Sequence, residues 1–112
     1  MIRRAKVDGT MNDACLIEPA ASGAFVLRGE LSFSTVMDVS RRSADLLWQG
    51  EAVTLDLAGV TRTDSAGLAL LVEWIRIARR NGTTIWFRNI PEQMMAVAAV
   101  VGLDSLLPVA SQ

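Results

Sequence analysis

The chain has no histidine and a single cysteine, Cys15, among its 112 residues. Without histidine, the usual zinc ligand sets and a histidine general base are excluded, and one cysteine forms no internal disulfide. Cys15 is expected to pack as a small apolar residue in a reducing compartment. An excess of either charge is also missing. Eleven Lys and Arg against 12 Asp and Glu leave a net charge of −1, so no broad basic surface for nucleic acid is implied. The longest uncharged apolar run, about Gln93 to Leu103, is far short of the roughly 20 residues needed to cross a bilayer. No Gly-rich phosphate loop of the Walker type occurs, which speaks against intrinsic nucleotide hydrolysis.

What is present suits one globular domain. Apolar residues make up 51% and charged residues 21%, enough to drive burial of one core at this length. Residues 1–12 carry Arg3, Arg4 and Lys6 with no apolar run of signal-peptide length behind them. They are expected to be a disordered leader, with Met11 as an alternative start. Residues 13–112 are expected to form a single domain in the cytoplasm.

Ala14 to Glu18 reads as a short strand, and Pro19 to Gly23 as a turn. Ala24 to Leu31 alternates apolar and polar residues and reads as a second strand, paired with the first as a hairpin. Ser32 or Ser34 is expected to cap a helix running to about Gln49, with Val36, Val39, Ser43, Leu46 and Leu47 on its inner face. Ala52 to Leu57 is a central strand. A second helix runs from Asp64 or Ser65 to Arg80 and closes at Asn81-Gly82. Thr83 to Arg88 is another strand, and Pro91 opens a third helix that Gly102 ends. Strands alternating with helices predict an α/β fold, a small mixed sheet of four or five strands with three helices and a short C-terminal tail. Trp48 is expected at the core edge, Trp86 on the outer sheet surface or against the hairpin, and Met94 and Met95 in the core.

The most informative stretch is Val53 to Leu68. An apolar strand leads through a polar loop to Asp64-Ser65-Ala66-Gly67, and an apolar helix follows at once. The first N–H groups of a helix lack internal partners, and the dipole makes that end electropositive. Asp64 or Thr63 serves as the cap, and Ser65 then stands exposed beside residues too small to block an approaching partner. On the helix after it, Leu68, Leu71, Val72, Ile75 and Arg79 share one side, while Ala66, Leu70, Trp74 and Ile77 share the other. Glu73, Arg76 and Arg80 lie between. A helix on one sheet needs one apolar stripe. The second is either covered within the chain, by the third helix or the tail, or is an exposed strip that receives a partner with Trp74 as anchor.

A nucleophilic reading of Ser65 fails for want of a general base, since there is no histidine and Lys6 lies in the leader. Asp56 reads as a strand residue and Asp64 as a cap. No metal or cofactor site is expected, and the protein is expected not to be an enzyme. The pairs Arg41-Arg42 and Arg79-Arg80 are solvated helix faces, or else contact an acidic partner or lipid headgroups.

A strand, then Asp-Ser, a small residue and Gly, then a helix, resembles the STAS domain (sulfate transporter and anti-sigma factor antagonist). The resemblance covers about residues 14 to 108. Gly67-Leu68-Ala69-Leu70-Leu71, Ala78-Arg79-Arg80-Asn81-Gly82 and Gly102-Leu103-Asp104-Ser105-Leu106-Leu107-Pro108 look most like the MlaB-type members, the small STAS subunits of a bacterial phospholipid-transport ABC complex. That resemblance implies a STAS-like fold and a regulatory or assembly subunit that binds the transporter's ATPase subunit. Membrane association at the inner face would then be indirect, through the complex, and the system would maintain lipid asymmetry. The implied interface is Thr63, Asp64, Ser65, Ala66, Leu70, Glu73, Trp74 and Ile77. The alternative implied by the family is an anti-sigma factor antagonist, whose partner is a kinase anti-sigma factor. A phosphate on Ser65 would be stabilised by the helix N-terminus. In those antagonists, however, the phosphorylated hydroxyl is the second of the pair, and here that position is Ala66. Ser65 thus reads as an interface hydroxyl, a structural cap residue or a phosphorylation site. A third reading is a STAS module that binds a small ligand or lipid.

Overall fold

β-Branched and aliphatic residues alternating with polar ones build the sheet, and the computed structural model describes residues 14–110 of the chain. The expected leader lies outside the described residues. The elements are β1 (Cys15–Pro19), β2 (Ala24–Leu31), α1 (Val36–Ala44), β3 (Ala52–Thr63), α2 (Ser65–Asn81), β4 (Thr84–Arg88) and α3 (Glu92–Val100), followed by a 3-10 turn at Asp104–Leu106. The strands form one four-stranded mixed sheet in the order β1-β2-β3-β4. β1 and β2 are the expected antiparallel hairpin, and β2, β3 and β4 run parallel. Past the turn, Val109 bridges to Phe87 and lines the outer edge of β4.

Two elements differ in length from the sequence expectation. β3 does not stop at Leu57 but continues to Thr63, directly against the start of α2. The continuation pairs with β2 as far as Leu31 opposite Thr63, through irregularities between Val26 and Arg28 and between Gly29 and Glu30. Asp56 supports the first of these, its carboxylate accepting the Ala58 N–H at 2.9 Å. α1 is shorter than expected and ends at Ala44, where the Ser43 carbonyl accepts both the Leu46 and Leu47 N–H groups and the chain passes into turns. Neither Ser32 nor Ser34 is the residue at its N-cap, which is Thr35. The Thr35 hydroxyl is engaged instead with its own loop, accepting from the Ser32 N–H at 3.0 Å and donating to the Glu30 carbonyl at 2.8 Å.

The helices set their apolar sides toward one face of the sheet. Leu27, Val53, Leu55, Ile85 and Phe87 meet Val39, Leu71, Trp74 and Met94 in a single core. Trp86 lies on the opposite sheet face, partly exposed, while its neighbours Ile85 and Phe87 are buried. Cys15 is buried too, and burial pushes its thiol up to about 11.

The reading of α2 as carrying an exposed apolar strip is corrected here. Leu70 and Trp74 are buried, Trp74 completely. The two stripes are the two flanks of one wide buried arc, because α2 lies between α1 on one side and α3 on the other. The cover over Leu70 and Trp74 is intrachain, and over Trp74 it comes from α1. The indole N–H of Trp74 donates to the Ser43 hydroxyl at 3.0 Å, which fixes the contact and satisfies a buried donor. Ala66, Glu73 and Ile77, at the edge of that flank, are half-buried.

Candidate functional site

The site forms where β2 and β3 end and the first turns of α1 and α2 begin. Asp64 organises it. One carboxylate oxygen accepts from the Ala66 N–H at 2.9 Å and the Gly67 N–H at 3.3 Å, capping α2. The other accepts from the Phe33 N–H at 3.1 Å, thirty-one residues away in the β2–α1 loop. One side chain therefore joins both loops. Desolvation pushes the Asp64 carboxyl up. The N–H groups of Phe33, Gly67 and Ala66 and the charge of Arg62 outweigh it and hold the group below its ordinary value of 3.8. The carboxylate is thus a fixed part of the scaffold and not a proton donor.

Gly67 explains the glycine of the motif. A Cβ there would fall 2.6 Å from the Leu31 carbonyl oxygen and would overlap the Thr63 hydroxyl as well. The first turn of α2 thus rests directly on the end of β2. Thr63 is buried beneath it, whereas Ser65 is exposed at the rim. The neighbouring loop is stitched by Glu30, whose carboxylate accepts from the Ser32 hydroxyl at 2.6 Å and meets the Ser34 hydroxyl at 3.3 Å. Arg62 stands 3.9 Å from the same carboxylate.

This rigid polar base carries two large apolar side chains into solvent. Phe33 is 82% exposed and Met37 71%. Sequence reasoning passed over both. The signal was an apolar Phe33 among Ser32, Ser34 and Thr35, and an apolar Met37 on the charged face of α1 beside Asp38 and Arg41. Of the residues expected at the interface, Thr63, Asp64, Ser65 and Ala66 come together here. Glu73 lies further along α2, ion-paired with Arg76 at 2.9 Å, and Ile77 lies one turn beyond. Leu70 and Trp74 do not reach the surface.

No group of three or more metal-ligating side chains occurs among the described residues. A cleft of about 460 Å³ lies at the other end of the sheet, between the β1–β2 turn and the end of α1.

Comparison with known proteins agrees with the fold. A family model described as "Mlab, STAS domain" matches residues 18–108. Among solved structures, the chain is similar to the anti-sigma factor antagonist SpoIIAA in its unphosphorylated form, with 19% identity, a TM-score of 0.65, and 88% of this chain and 89% of that one covered. It is also similar to SLC26A9, at 15% identity and a TM-score of 0.59, where 74% of this chain matches 16% of the other. The murine Slc26a9 anion transporter in its inward-facing state matches at 18% identity and a TM-score of 0.57, over 70% of this chain and 14% of the transporter. At these identities the structural likeness speaks to fold.

Proposed function

The chain belongs to the MlaB-type STAS domain family, and on that premise we propose that it is a non-catalytic regulatory or assembly subunit. Its partner is the ATPase subunit of a phospholipid-transport ABC transporter, at the cytoplasmic face of the inner membrane. Residues 13–112 serve as one STAS domain in that role. The observation that carries the reading is the pairing of a fixed base with an exposed apolar rim. Asp64 locks the β2–α1 loop to α2, and Ser65, Phe33 and Met37 project from that base. Large apolar side chains surrounded by polar groups on a rigid support are the usual makings of an interface hot spot.

In this reading Ser65, Ala66, Glu73 and Ile77 contact the partner from the α2 side, and Phe33 and Met37 from the α1 side. Thr63 and Asp64 hold the loop in shape. Leu70 and Trp74 contribute by seating α2 against α1 and not by contact. Docking would act by differential binding, favouring the ATPase conformation that presents the complementary surface.

The test is an affinity capture from native membranes with wild type and Ser65→Glu, read by mass spectrometry. Recovery of a transporter ATPase with wild type and its loss with the variant supports the reading. Recovery of a kinase-type anti-sigma factor, with phosphate on Ser65, would establish the alternative instead. No helix among the described residues is long and apolar enough to cross a membrane.

A further inference from the structure

The end of the molecule remote from Ser65 has a surface of its own. α2 spans 17 residues, about 25 Å at 1.5 Å per residue, so its last turn lies far from the Asp64 loop. β3 and β4 are parallel and each is followed by a helix, which brings the C-termini of α2 and α3 to the same end. There Val100 is 86% exposed, Val101 56% and Leu106 64%. Leu106 also lines a shallow groove whose other walls are Val72, Ile75, Leu103 and Leu107 together with Arg76 and Arg79. No carboxylate is in that lining, and Asp104 stands outside it. Arg80 follows on the same turn of α2, exposed like Arg79. Arg76 is paired with Glu73, while neither Arg79 nor Arg80 has an ion pair among the described residues.

The geometry points to this end as a contact surface for an anionic lipid bilayer. Aliphatic side chains that protrude, flanked by arginines, match a surface with buried hydrocarbon beneath negative headgroups. The groove itself holds only about 230 Å³, below the 300 Å³ or more typical of pockets that enclose a ligand. That size favours contact with a surface over extraction of one lipid. Docking would place the Ser65 loop on the side away from the bilayer, free for a protein partner. The inference stands independently of which protein docks there.

The test is co-sedimentation of the full chain with vesicles of pure phosphatidylcholine and of phosphatidylcholine mixed with phosphatidylglycerol. Binding is expected only to the anionic vesicles, weakening with added salt. The double variant Arg79→Gln/Arg80→Gln is expected to bind more than tenfold more weakly, at about fivefold for each charge removed. Val100→Ser/Leu106→Ser is expected to lose binding while retaining the wild-type melting temperature, since both side chains are exposed. Ser65→Glu is expected to bind vesicles like wild type, which separates this surface from the protein-docking site. Absence of binding to anionic vesicles would overturn the inference, and so would equal binding to neutral ones. Unchanged binding by both double variants would place the affinity elsewhere on the chain. A wild-type dimer in sedimentation velocity that the Val100→Ser/Leu106→Ser variant loses would assign the patch to a second copy instead.

Discussion

The indole N–H of Trp74 donates to the hydroxyl of Ser43 at 3.0 Å, tying the middle of α2 to the end of α1 inside the core. This contact decides what α2 shows to a partner. With Trp74 spent on α1, the proposed docking surface lies at the loop end of the helix and on Phe33 and Met37, which are exposed.

Trp74→Ala is therefore expected to destabilise the fold by about 3–5 kcal/mol, as for other buried large-to-small changes. Trp74→Phe keeps most of the packing and loses the hydrogen bond, with an expected loss of about 1–2 kcal/mol. Urea denaturation of both variants checks the ordering. A cooperative, near-wild-type Trp74→Ala would return Trp74 to the surface.

Gly67→Ala is expected to destabilise the protein by about 1–3 kcal/mol through overpacking, although alanine is the better helix former by about 1 kcal/mol. The added Cβ meets the Thr63 hydroxyl and the Leu31 carbonyl oxygen, and the latter does not retreat without moving the end of β2. Thermal melts of this variant beside Ala69→Gly, at an exposed position of the same helix, separate steric overlap from helix propensity.

The order of strands and helices was legible because each period was clean. Phe25, Leu27 and Leu31 alternate with charge, and Asp64 precedes an apolar helix that Gly82 ends in a left-handed conformation at φ 70°. The cover over Trp74 was not legible. An apolar stripe states that something must cover it, but whether α1, α3 or a partner does so depends on how helices are spaced across the sheet. The extra length of β3 was hidden for a related reason. Its polar residues Thr61, Arg62 and Thr63 form a strand only because β2 offers partners alongside. Ser65 was placed correctly at the exposed mouth. Phe33 entered the site through a backbone hydrogen bond to Asp64, which no side-chain pattern announces.

Asp64→Asn is expected to separate the two jobs of this residue. Asn remains a good N-cap, but its amide nitrogen cannot accept from Phe33. The folded-state carboxyl lies below its ordinary value of 3.8, so the unfolded chain takes up the proton first. Its contribution to stability is complete above the unfolded value and lost as pH falls through the folded one. Wild type should thus exceed Asp64→Asn at pH 7, by about 1–2 kcal/mol for the lost hydrogen bond, with the gap closing on acidification. A gap that widens toward low pH would contradict the assigned direction.

Phe33→Ala/Met37→Ala is expected to leave stability within about 0.5 kcal/mol, because both side chains face solvent. Binding of the partner should weaken by more than about 1 kcal/mol if either residue anchors the interface. Titration calorimetry against the captured ATPase, with circular dichroism as the fold control, reads both quantities. Unchanged affinity would remove the α1 side from the docking surface.

The central claim is that the Asp64-Ser65 loop is where the protein binds a transporter ATPase. The most direct measurement is the dissociation constant of purified ATPase subunit for wild type and for Ser65→Glu, both verified as folded. A carboxylate placed at this rim beside Asp64 should weaken binding at least tenfold with no change in melting temperature. Equal affinity of the two proteins would contradict the claim and place the interface elsewhere on the domain.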